Sequence, residues 1–398
     1  MFPVGAPVRD RDFVDRSREV KEILKALKRD SILLIAPRRF GKTSIMREVE
    51  KKLRNDGFLC VYLDVSYVSS PREFIIELAD AIFESVDDEK GKKFVEKIKN
   101  CFRKLKETLG NIEELDVSTT GFKIKFREGL KKEIDAKNWI EKGNELIKSL
   151  RDITTEGFAC IAVDEISECV VNINNKSNED ARKFIQWLRH VRQSVDYLRF
   201  LFGGSISFDR IVKNVGSLSW INDLRRVVVG GFSKSDAVKM IERAFKEEKW
   251  DYDAKIAEKI LECIGEPYVP YFISVMLSVI AHEEKINLND ETVEKIYTRR
   301  VLGTYGRGYF DYYRQRLKTY GQMSKAAEEI LRETCKVDKY PINLAFDIFR
   351  RTTGLDDYEK FLDLIHDLEN DFYIVVEDRE YIKFQLKILR DWWRVNYV

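Results

Sequence analysis

Histidine, cysteine and proline are scarce in this chain. Its 398 residues include three histidines, six cysteines and seven prolines. The histidines follow no metal-binding pattern and the cysteines have no Cys-x-x-Cys spacing, so buried free thiols in a reducing compartment explain the cysteines better than a zinc site or a disulfide framework. No apolar run approaches the roughly 20 residues of a membrane helix, and no targeting signal is recognisable. We therefore expect a cytoplasmic protein that has no membrane partner.

An excess of charge of one sign is also missing. The sequence has 70 Lys and Arg residues against 68 Asp and Glu residues, which gives a net charge of +2. Such a balance is not typical of a protein whose main partner is nucleic acid. The length of the chain is enough for two or three domains, each with its own core.

A strand, a loop and a helix are predicted at residues 31–57. The apolar run Ile32–Ile35 predicts a buried strand, and a turn with Pro37 and Gly41 follows it. The helix that begins at Lys42 has apolar side chains at every fourth position, namely Ile45, Val49 and Leu53. Because a Gly-containing loop between a strand and a Lys-Thr helix start is the setting of a phosphate-binding loop, we interpret this segment as a P-loop.

The P-loop interpretation gives each residue of the turn a role. The loop and the helix N-terminus would hold a polyphosphate, and the residues involved are Ala36, Pro37, Arg38, Arg39, Phe40, Gly41 and Ser44. Lys42 would reach the β- and γ-phosphates, and Thr43 would place its hydroxyl on Mg²⁺. Ala36 stands where the pattern usually has its first glycine, and alanine is the smallest replacement for it.

A second motif closes the apolar run at 158–165. The run predicts a buried strand that ends with Asp164 and Glu165, which is the Walker B form. Asp164 would hold Mg²⁺ through water. Glu165 would act as the general base that polarises the attacking water. The two motifs together imply ATP or ADP with Mg²⁺ as the ligands.

Three more short apolar runs predict strands, at 58–65, 199–205 and 225–229. Ser205 closes the second of these runs, where it could sense a γ-phosphate or satisfy the hydrogen bonds of a turn. Short apolar strands that alternate with helical patterns are typical of a parallel sheet covered on both faces. We therefore expect an α/β domain with a five-stranded parallel sheet.

Residues 86–137 are predicted to be an insertion in this domain. Charged helical segments flank residues 117–126, in which Phe122, Ile124 and Phe126 alternate with lysines after Gly121. Alternation after a Gly-containing turn predicts a hairpin. The many charges of the insertion predict a solvated face or a surface for a partner.

The rest of the chain is predicted to be mostly helical. Helices run from a cap at Ser233 to about residue 300 and include the turn Gly265-Glu266-Pro267. Arginines and tyrosines are interleaved at 297–320. Such a stretch either binds nucleic acid through phosphate contacts and stacking or forms a linker helix that packs its rings on its own protein. Three helices and a hairpin between 325 and 384 follow the order of a winged helix.

The third helix of this winged helix is acidic. It carries one basic residue, Lys360, against Glu359, Asp363, Asp367 and Glu369. Because DNA phosphates would repel such a helix, we expect any DNA contact to come from Arg299 to Lys318 instead. The winged helix would pack on the nucleotide-binding domain or meet a protein partner through Trp392 and Trp393.

Together these motifs resemble the archaeal ATPases, P-loop proteins of the STAND class that are allied to AAA+ and to archaeal origin-recognition ATPases. Besides the two Walker segments and the winged tail, the resemblance rests on Phe13-Val14-Asp15-Arg16 with Glu19, Gly204-Ser205 and Gly265-Glu266-Pro267. It covers most of the chain but excludes residues 86–137. The resemblance implies that Phe13, Val14 and Arg16 lie near the adenine. It further implies that Pro267 contacts base or ribose and that Ser205 is the first sensor.

The resemblance also implies an architecture and a function. A P-loop ATPase core at 1–232 would precede a helical lid at 233–300 and a linker helix with a winged-helix domain at 301–398. The implied function is ATP binding with slow hydrolysis, used as a nucleotide-controlled switch. The alternatives are a DNA-handling ATPase that assembles on duplex DNA and a scaffold that keeps ADP without hydrolysis. In an oligomer, Arg225 or Arg226 could reach a neighbour's γ-phosphate, or both could be surface charge.

Overall fold

The computed structural model describes residues 16–37, 39–86, 88–109, 119–154, 156–204, 208–251, 253–283, 288–303 and 306–398. Contacts between residues divide the chain into two compact units. The sheet unit contains residues 16–36 and 42–229, and the helical unit contains residues 37–41 and 230–398. In the described residues, no helix has both the length and the apolar character needed to span a membrane.

The sheet unit alternates helices with strands. Its elements are α1 (Ser17–Leu27), β1 (Ile32–Ile35), α2 (Lys42–Asn55), β2 (Cys60–Asp64), α3 (Pro71–Ser85), α4 (Asp88–Cys101), α5 (Arg103–Leu109), α6 (Thr120–Glu133), α7 (Trp139–Ser149), β3 (Ala159–Asp164), α8 (Ile166–Lys176), α9 (Asn178–Ser194), β4 (Leu198–Gly204), α10 (Phe208–Val215) and β5 (Arg225–Val228). The strands lie in the order β2-β3-β4-β1-β5, and every neighbouring pair is parallel. The predicted five-stranded parallel sheet is therefore confirmed.

The central strands are apolar because helices cover the sheet. All four residues of β1 and all six residues of β3 are buried, as expected for a parallel sheet without a solvated face. The predicted insertion contributes Phe94, Phe102 and Phe126 to the same buried cluster as the strands. The insertion is thus part of the core of the sheet unit.

Of the segment 117–126 that was predicted to be a hairpin, residues 119–126 are the cap and the first turns of helix α6, and residues 117–118 lie outside the described residues. Thr119 caps this helix, because its hydroxyl accepts a hydrogen bond from the Phe122 amide at 3.2 Å. Phe122 and Phe126 are buried and contact the ring of Phe83 on α3, whereas Ile124 is 56% exposed. The hairpin prediction is wrong because these two phenylalanines fit a period of four as well as a period of two. Burial against Phe83 selects the helical period.

The helical unit contains the C-terminal elements. They are α11 (Lys234–Glu248), α12 (Ala254–Ile264), α13 (Pro270–Ala281), α14 (Asp290–Ile296), α15 (Arg307–Arg316), α16 (Ser324–Thr334), β6 (Tyr340–Pro341), α17 (Ile342–Thr353), α18 (Tyr358–Asn370), β7 (Ile374–Glu377), β8 (Tyr381–Phe384) and α19 (Lys387–Tyr397). The three short strands form an antiparallel sheet in the order β6-β8-β7. Helices α16 to α18 and the β7–β8 hairpin are the elements predicted from the sequence for a winged helix.

The two tryptophans of α19 are core residues of the helical unit. The side chains of Trp392 and Trp393 are fully buried. The Trp392 ring lies 5.2 Å from that of Phe310, and the Trp393 ring lies 6.1 Å from that of Phe384, measured between centroids. Neither indole can therefore form the partner surface that the sequence suggested.

Substitutions on α6 distinguish a helix from a hairpin. Phe126→Ala should lower the free energy of unfolding by about 3–5 kcal/mol, because it empties a buried site. Ile124→Ala is the matched control and should change it by less than about 0.5 kcal/mol, because the side chain is exposed. Denaturant unfolding followed by fluorescence measures both values. In a hairpin the two side chains would share one face, so equal losses for the two variants would contradict helix α6.

Candidate active site

The two predicted motifs meet at one edge of the parallel sheet. Lys42 and Thr43 are the first two residues of α2, and Asp164 is the last residue of β3. Because β1 and β3 run in the same direction, the helix start after β1 and the end of β3 lie at the same edge. The sequence-predicted Walker residues Lys42, Thr43, Asp164 and Glu165 are in contact at this edge.

Three of these side chains interact through the carboxylate of Asp164, which is 1% exposed. The Thr43 hydroxyl donates a hydrogen bond of 2.6 Å to Asp164 Oδ2. The Lys42 ammonium lies 3.3 Å from Asp164 Oδ1 and 3.3 Å from Glu165 Oε1. A buried carboxylate requires such a cation and such donors, because an unpaired charge in the interior is costly.

Glu165 stands at a sharp turn between β3 and α8. Its backbone is left-handed, with φ of 57° and ψ of 35°. Its amide donates a hydrogen bond of 2.9 Å to Asp164 Oδ1. Non-glycine residues seldom adopt this conformation, and in proteins it is concentrated at functional sites. The turn ends the strand after Asp164 and leaves the Glu165 side chain partly exposed beside Lys42.

Two residues that sequence reasoning missed complete the site. The Tyr62 hydroxyl on β2 donates a hydrogen bond of 3.0 Å to Asp164 Oδ2, and the guanidinium carbon of Arg47 lies 3.3 Å from the centroid of the Tyr62 ring. Burial, and next the negative charge of Asp164, raise the pKa of Tyr62 well above its usual range. The hydroxyl therefore keeps its proton at neutral pH. The sequence contains one indication of the role of Arg47, because it follows Thr43 by one helical turn and so lies on the same face of α2.

Gly203 gives Asp164 the space that it needs. A Cβ atom at Gly203 would lie 2.5 Å from Asp164 Oδ1 and 2.6 Å from the sulfur of Met46. Contacts this short would force Asp164 or Met46 to move, so glycine at this position lets β4 pass the carboxylate without displacing either side chain. The tight fit holds Asp164 between β4 and α2.

The loop residues before Lys42 belong to the helical unit. Arg39 donates a hydrogen bond to the Tyr309 carbonyl, and its guanidinium carbon lies 4.0 Å from the centroid of the Tyr271 ring. Phe40 is buried, and its ring centroid lies 5.3 Å from that of Phe372. The side chains of Arg39 and Phe40 therefore contact aromatic residues, which leaves only the backbone of these residues for a phosphate.

Other predicted site residues have different positions. Phe13, Val14, Arg38 and Ser205 lie outside the described residues. Arg16 is buried at the start of α1 and donates to Glu19 at 2.8 Å. Ala36 and Pro37 are buried after β1, and Ser44 is buried in the first turn of α2.

Pro267 lies in the helical unit and packs against residues 231–232, near the point where the chain enters this unit. The Phe232 amide donates a hydrogen bond of 2.7 Å to the Tyr268 carbonyl. A Cβ atom at Gly231 would come within 2.8 Å of Pro267 Cβ. The turn at 265–267 is thus fixed by its neighbours, and its role toward a nucleotide stays a prediction.

Four arginines of the stretch 297–320 form ion pairs within the helical unit, namely Arg300, Arg307, Arg314 and Arg316. Arg314 pairs with Glu328 at 2.7 Å, and Arg316 pairs with the buried Asp371 at 2.5 Å. Tyr313 is buried. These contacts favour the interpretation of this segment as a linker that packs on its own protein.

Arg225 and Arg226 also have partners in their own chain. They are the first residues of β5 and lie at the amino ends of the parallel strands, whereas Asp164 lies at the carboxyl end of its strand. Arg226 donates two hydrogen bonds to Asp209, at 2.5 Å and 2.9 Å, and Arg225 lies 3.6 Å from Asp30. These contacts favour surface charge, and a role in trans stays a prediction.

A parallel sheet with Lys-Thr at the start of the helix after β1, and with Asp-Glu at the end of β3, defines the P-loop ATPase fold. No family model matches this chain, and no curated protein matches it. Among solved structures it is similar to a Walker-type ATPase of Pyrococcus abyssi, with 17% identity over 97% of both chains and a TM-score of 0.64. It is also similar to the ORC2 protein of Aeropyrum pernix in its ADPNP–ADP complexes, with 10% identity over 96% of this chain and 95% of that one, and a TM-score of 0.57. The chain therefore has the fold of the AAA+ P-loop ATPases.

Alanine substitutions on β4 test the fit around Asp164. Gly203→Ala should lower the free energy of unfolding by about 1–3 kcal/mol, because its Cβ would displace Asp164 or Met46. Gly204→Ala is the matched control on the same strand. Its Cβ would meet Leu33 Cδ1 at 3.1 Å, a flexible side-chain end that can move. Denaturant unfolding measures both, and a loss for Gly204→Ala as large as for Gly203→Ala would contradict this account.

Proposed function

We propose that this chain binds ATP with Mg²⁺, hydrolyses it slowly, and uses the nucleotide as a switch. The observation that carries the proposal is the 2.6 Å hydrogen bond from the Thr43 hydroxyl to Asp164 Oδ2, beside the Lys42 ammonium. A hydroxyl and an ammonium at a helix start, facing a strand-end carboxylate, form the arrangement by which P-loop proteins hold Mg²⁺ and phosphates.

The donor atoms fit a hard cation and a polyphosphate. Thr43 would hold Mg²⁺ through its hydroxyl oxygen and Asp164 would hold it through a water molecule, and oxygen is the ligand atom that this ion prefers. Thr43 gives its hydroxyl proton to Asp164, so the Thr43 oxygen keeps lone pairs for a cation. The N-terminus of α2 adds partial positive charge for phosphate oxygens. Bound Mg²⁺ would neutralise charge on the phosphates.

Lys42 links phosphate binding to the availability of Glu165. Its ammonium lies 3.3 Å from Glu165 Oε1. A phosphate that attracts this ammonium would free the carboxylate to accept a proton from water, which is the task of a general base. Glu165 would then act only when nucleotide is bound.

The remaining contacts of the nucleotide follow from the family resemblance. Phe13, Val14 and Arg16 would lie near the adenine, Pro267 would contact base or ribose, and Ser205 would contact the γ-phosphate. The similarity in fold to the ORC2 protein of Aeropyrum pernix in its ADPNP–ADP complexes supports an adenine nucleotide as the ligand.

Contacts of the loop support the switch. Arg39 and Phe40 are separated from Lys42 only by Gly41, and in the helical unit they contact Tyr271, Tyr309 and Phe372. A phosphate bound by the loop backbone would change the loop conformation, and these aromatic contacts would respond. A segment with two arrangements that a γ-phosphate selects is a common basis of nucleotide switches.

The partner of the switch would be a protein rather than DNA. Two arginines of the segment 299–318 are paired with carboxylates, Arg314 with Glu328 and Arg316 with Asp371. The predicted recognition helix α18 is acidic, and phosphates would repel it. A partner of the winged-helix region would therefore be a protein, and it would bind a surface other than the buried indoles of Trp392 and Trp393.

Substitution of the base tests the proposed chemistry. Glu165→Gln should bind ATP with Mg²⁺ as tightly as the unchanged protein but hydrolyse it about 10²–10⁴-fold more slowly, because a positioned base is lost. Glu179→Gln removes an exposed carboxylate on α9 and serves as the control, with unchanged turnover. Phosphate release and fluorescent-nucleotide binding measure the two properties.

The possible results separate the candidate functions. Equal turnover by Glu165→Gln and the unchanged protein would overturn the role of Glu165. Tight binding of ADP by the unchanged protein without any hydrolysis would identify a non-hydrolysing scaffold. Absence of nucleotide binding would refute the proposed function as a whole.

A further inference from the structure

The parallel pairing of β2 and β3 places Tyr62 beside Asp164. Asp64 is the register partner of Asp164, and Tyr62 is the partner of Ala162. Side chains two positions apart on a strand point to the same face of a sheet. Tyr62 therefore lies on the face that carries Asp164, and its hydroxyl reaches Asp164 Oδ2 at 3.0 Å.

Donors occupy both oxygens of Asp164. Oδ2 accepts hydrogen bonds from the hydroxyls of Thr43 and Tyr62, at 2.6 Å and 3.0 Å. Oδ1 accepts one from the Glu165 amide at 2.9 Å and lies 3.3 Å from the Lys42 ammonium. An ionised carboxylate offers about four lone-pair sites, so each donor has a site. Loss of one hydroxyl would leave a lone pair of a buried charge without a partner.

Helix α2 holds the Tyr62 ring as well as Thr43. The guanidinium carbon of Arg47 lies 3.3 Å from the ring centroid of Tyr62, and Arg47 also donates to Glu50 at 3.0 Å. Thr43 and Arg47 are one turn apart, so they lie on the same face of α2. The helix that supplies the hydroxyl to Asp164 thus also fixes the second donor to the same oxygen.

We propose that Tyr62 is a positioning residue for the metal site, which sets the orientation of the Asp164 carboxylate and of its hydrogen bond to Thr43. This inference rests on the proposed function, because it assigns Mg²⁺ to Thr43 and Asp164. Hydrogen-bond partners of metal-binding carboxylates orient them, and their removal typically lowers metal affinity about 10–100-fold. Tyr62 would act on the metal only through Asp164.

The test replaces Tyr62 by phenylalanine, which removes one oxygen atom and keeps the ring that stacks on Arg47. Mn²⁺ serves as the probe, and its binding in the presence of ADP is measured by electron paramagnetic resonance without any turnover. Tyr62→Phe should weaken Mn²⁺ binding about 10-fold or more. The affinity for ADP without divalent cation should be unchanged, because the loop and Lys42 are intact.

Tyr197→Phe is the matched control. Its hydroxyl is also partly buried in the sheet unit and donates one hydrogen bond, of 3.1 Å, to the Ile147 carbonyl. If loss of a buried hydroxyl acted only through general stability, both variants would lose Mn²⁺ affinity alike. We expect Tyr197→Phe to bind Mn²⁺ and ADP as the unchanged protein does.

Each result has a distinct meaning. Unchanged Mn²⁺ affinity in Tyr62→Phe would overturn the inference and leave the proposed function intact. Equal losses of Mn²⁺ affinity and of metal-free ADP affinity, or equal losses in the two variants, would also overturn it in favour of a structural role. Failure of the unchanged protein to bind Mn²⁺ with ADP would instead refute the proposed function.

Discussion

The buried carboxylate of Asp164 is the constraint on which the site depends. A charge that is removed from water must be compensated by cations and hydrogen-bond donors. Here Lys42 and Thr43 come from α2, Tyr62 from β2 and the Glu165 amide from the start of α8. The donors come from three different elements of the sheet unit, so the carboxylate fixes the relative positions of these elements. The same atoms are the ones that would hold Mg²⁺ and phosphate under the proposed function.

The backbone around Asp164 also leaves room for its carboxylate. Gly203 on β4 allows the carboxylate to approach the strand, because a Cβ atom there would lie 2.5 Å from Asp164 Oδ1. The left-handed turn at Glu165 ends β3 directly after the carboxylate. The site is therefore built largely before a ligand arrives. Such preorganisation lowers the entropic cost of binding a ligand.

The helical unit has an aromatic and ion-paired interior. Trp392 and Phe310 stack within it, and Arg316 pairs with the buried Asp371. An arginine paired with a buried carboxylate is costly to separate from it. Arg316 and the buried Tyr313, which belong to the stretch that resembled a nucleic-acid surface in the sequence, therefore contribute to packing. The loop residues Arg39 and Phe40 take part in the same type of aromatic contact.

The sequence by itself determined the parallel sheet and the Walker residues. Strand lengths, apolar runs and the Gly-Lys-Thr and Asp-Glu pairs are local signals, and β1, α2 and β3 lie where these signals predict them. Tertiary structure decided what local signals leave open. Phe122 and Phe126 fit two periodicities until Phe83 selects the helix, and Tyr62 becomes part of the site only because β2 pairs with β3. Contacts between residues far apart in the chain decide these cases, because burial and hydrogen bonding depend on which elements become neighbours.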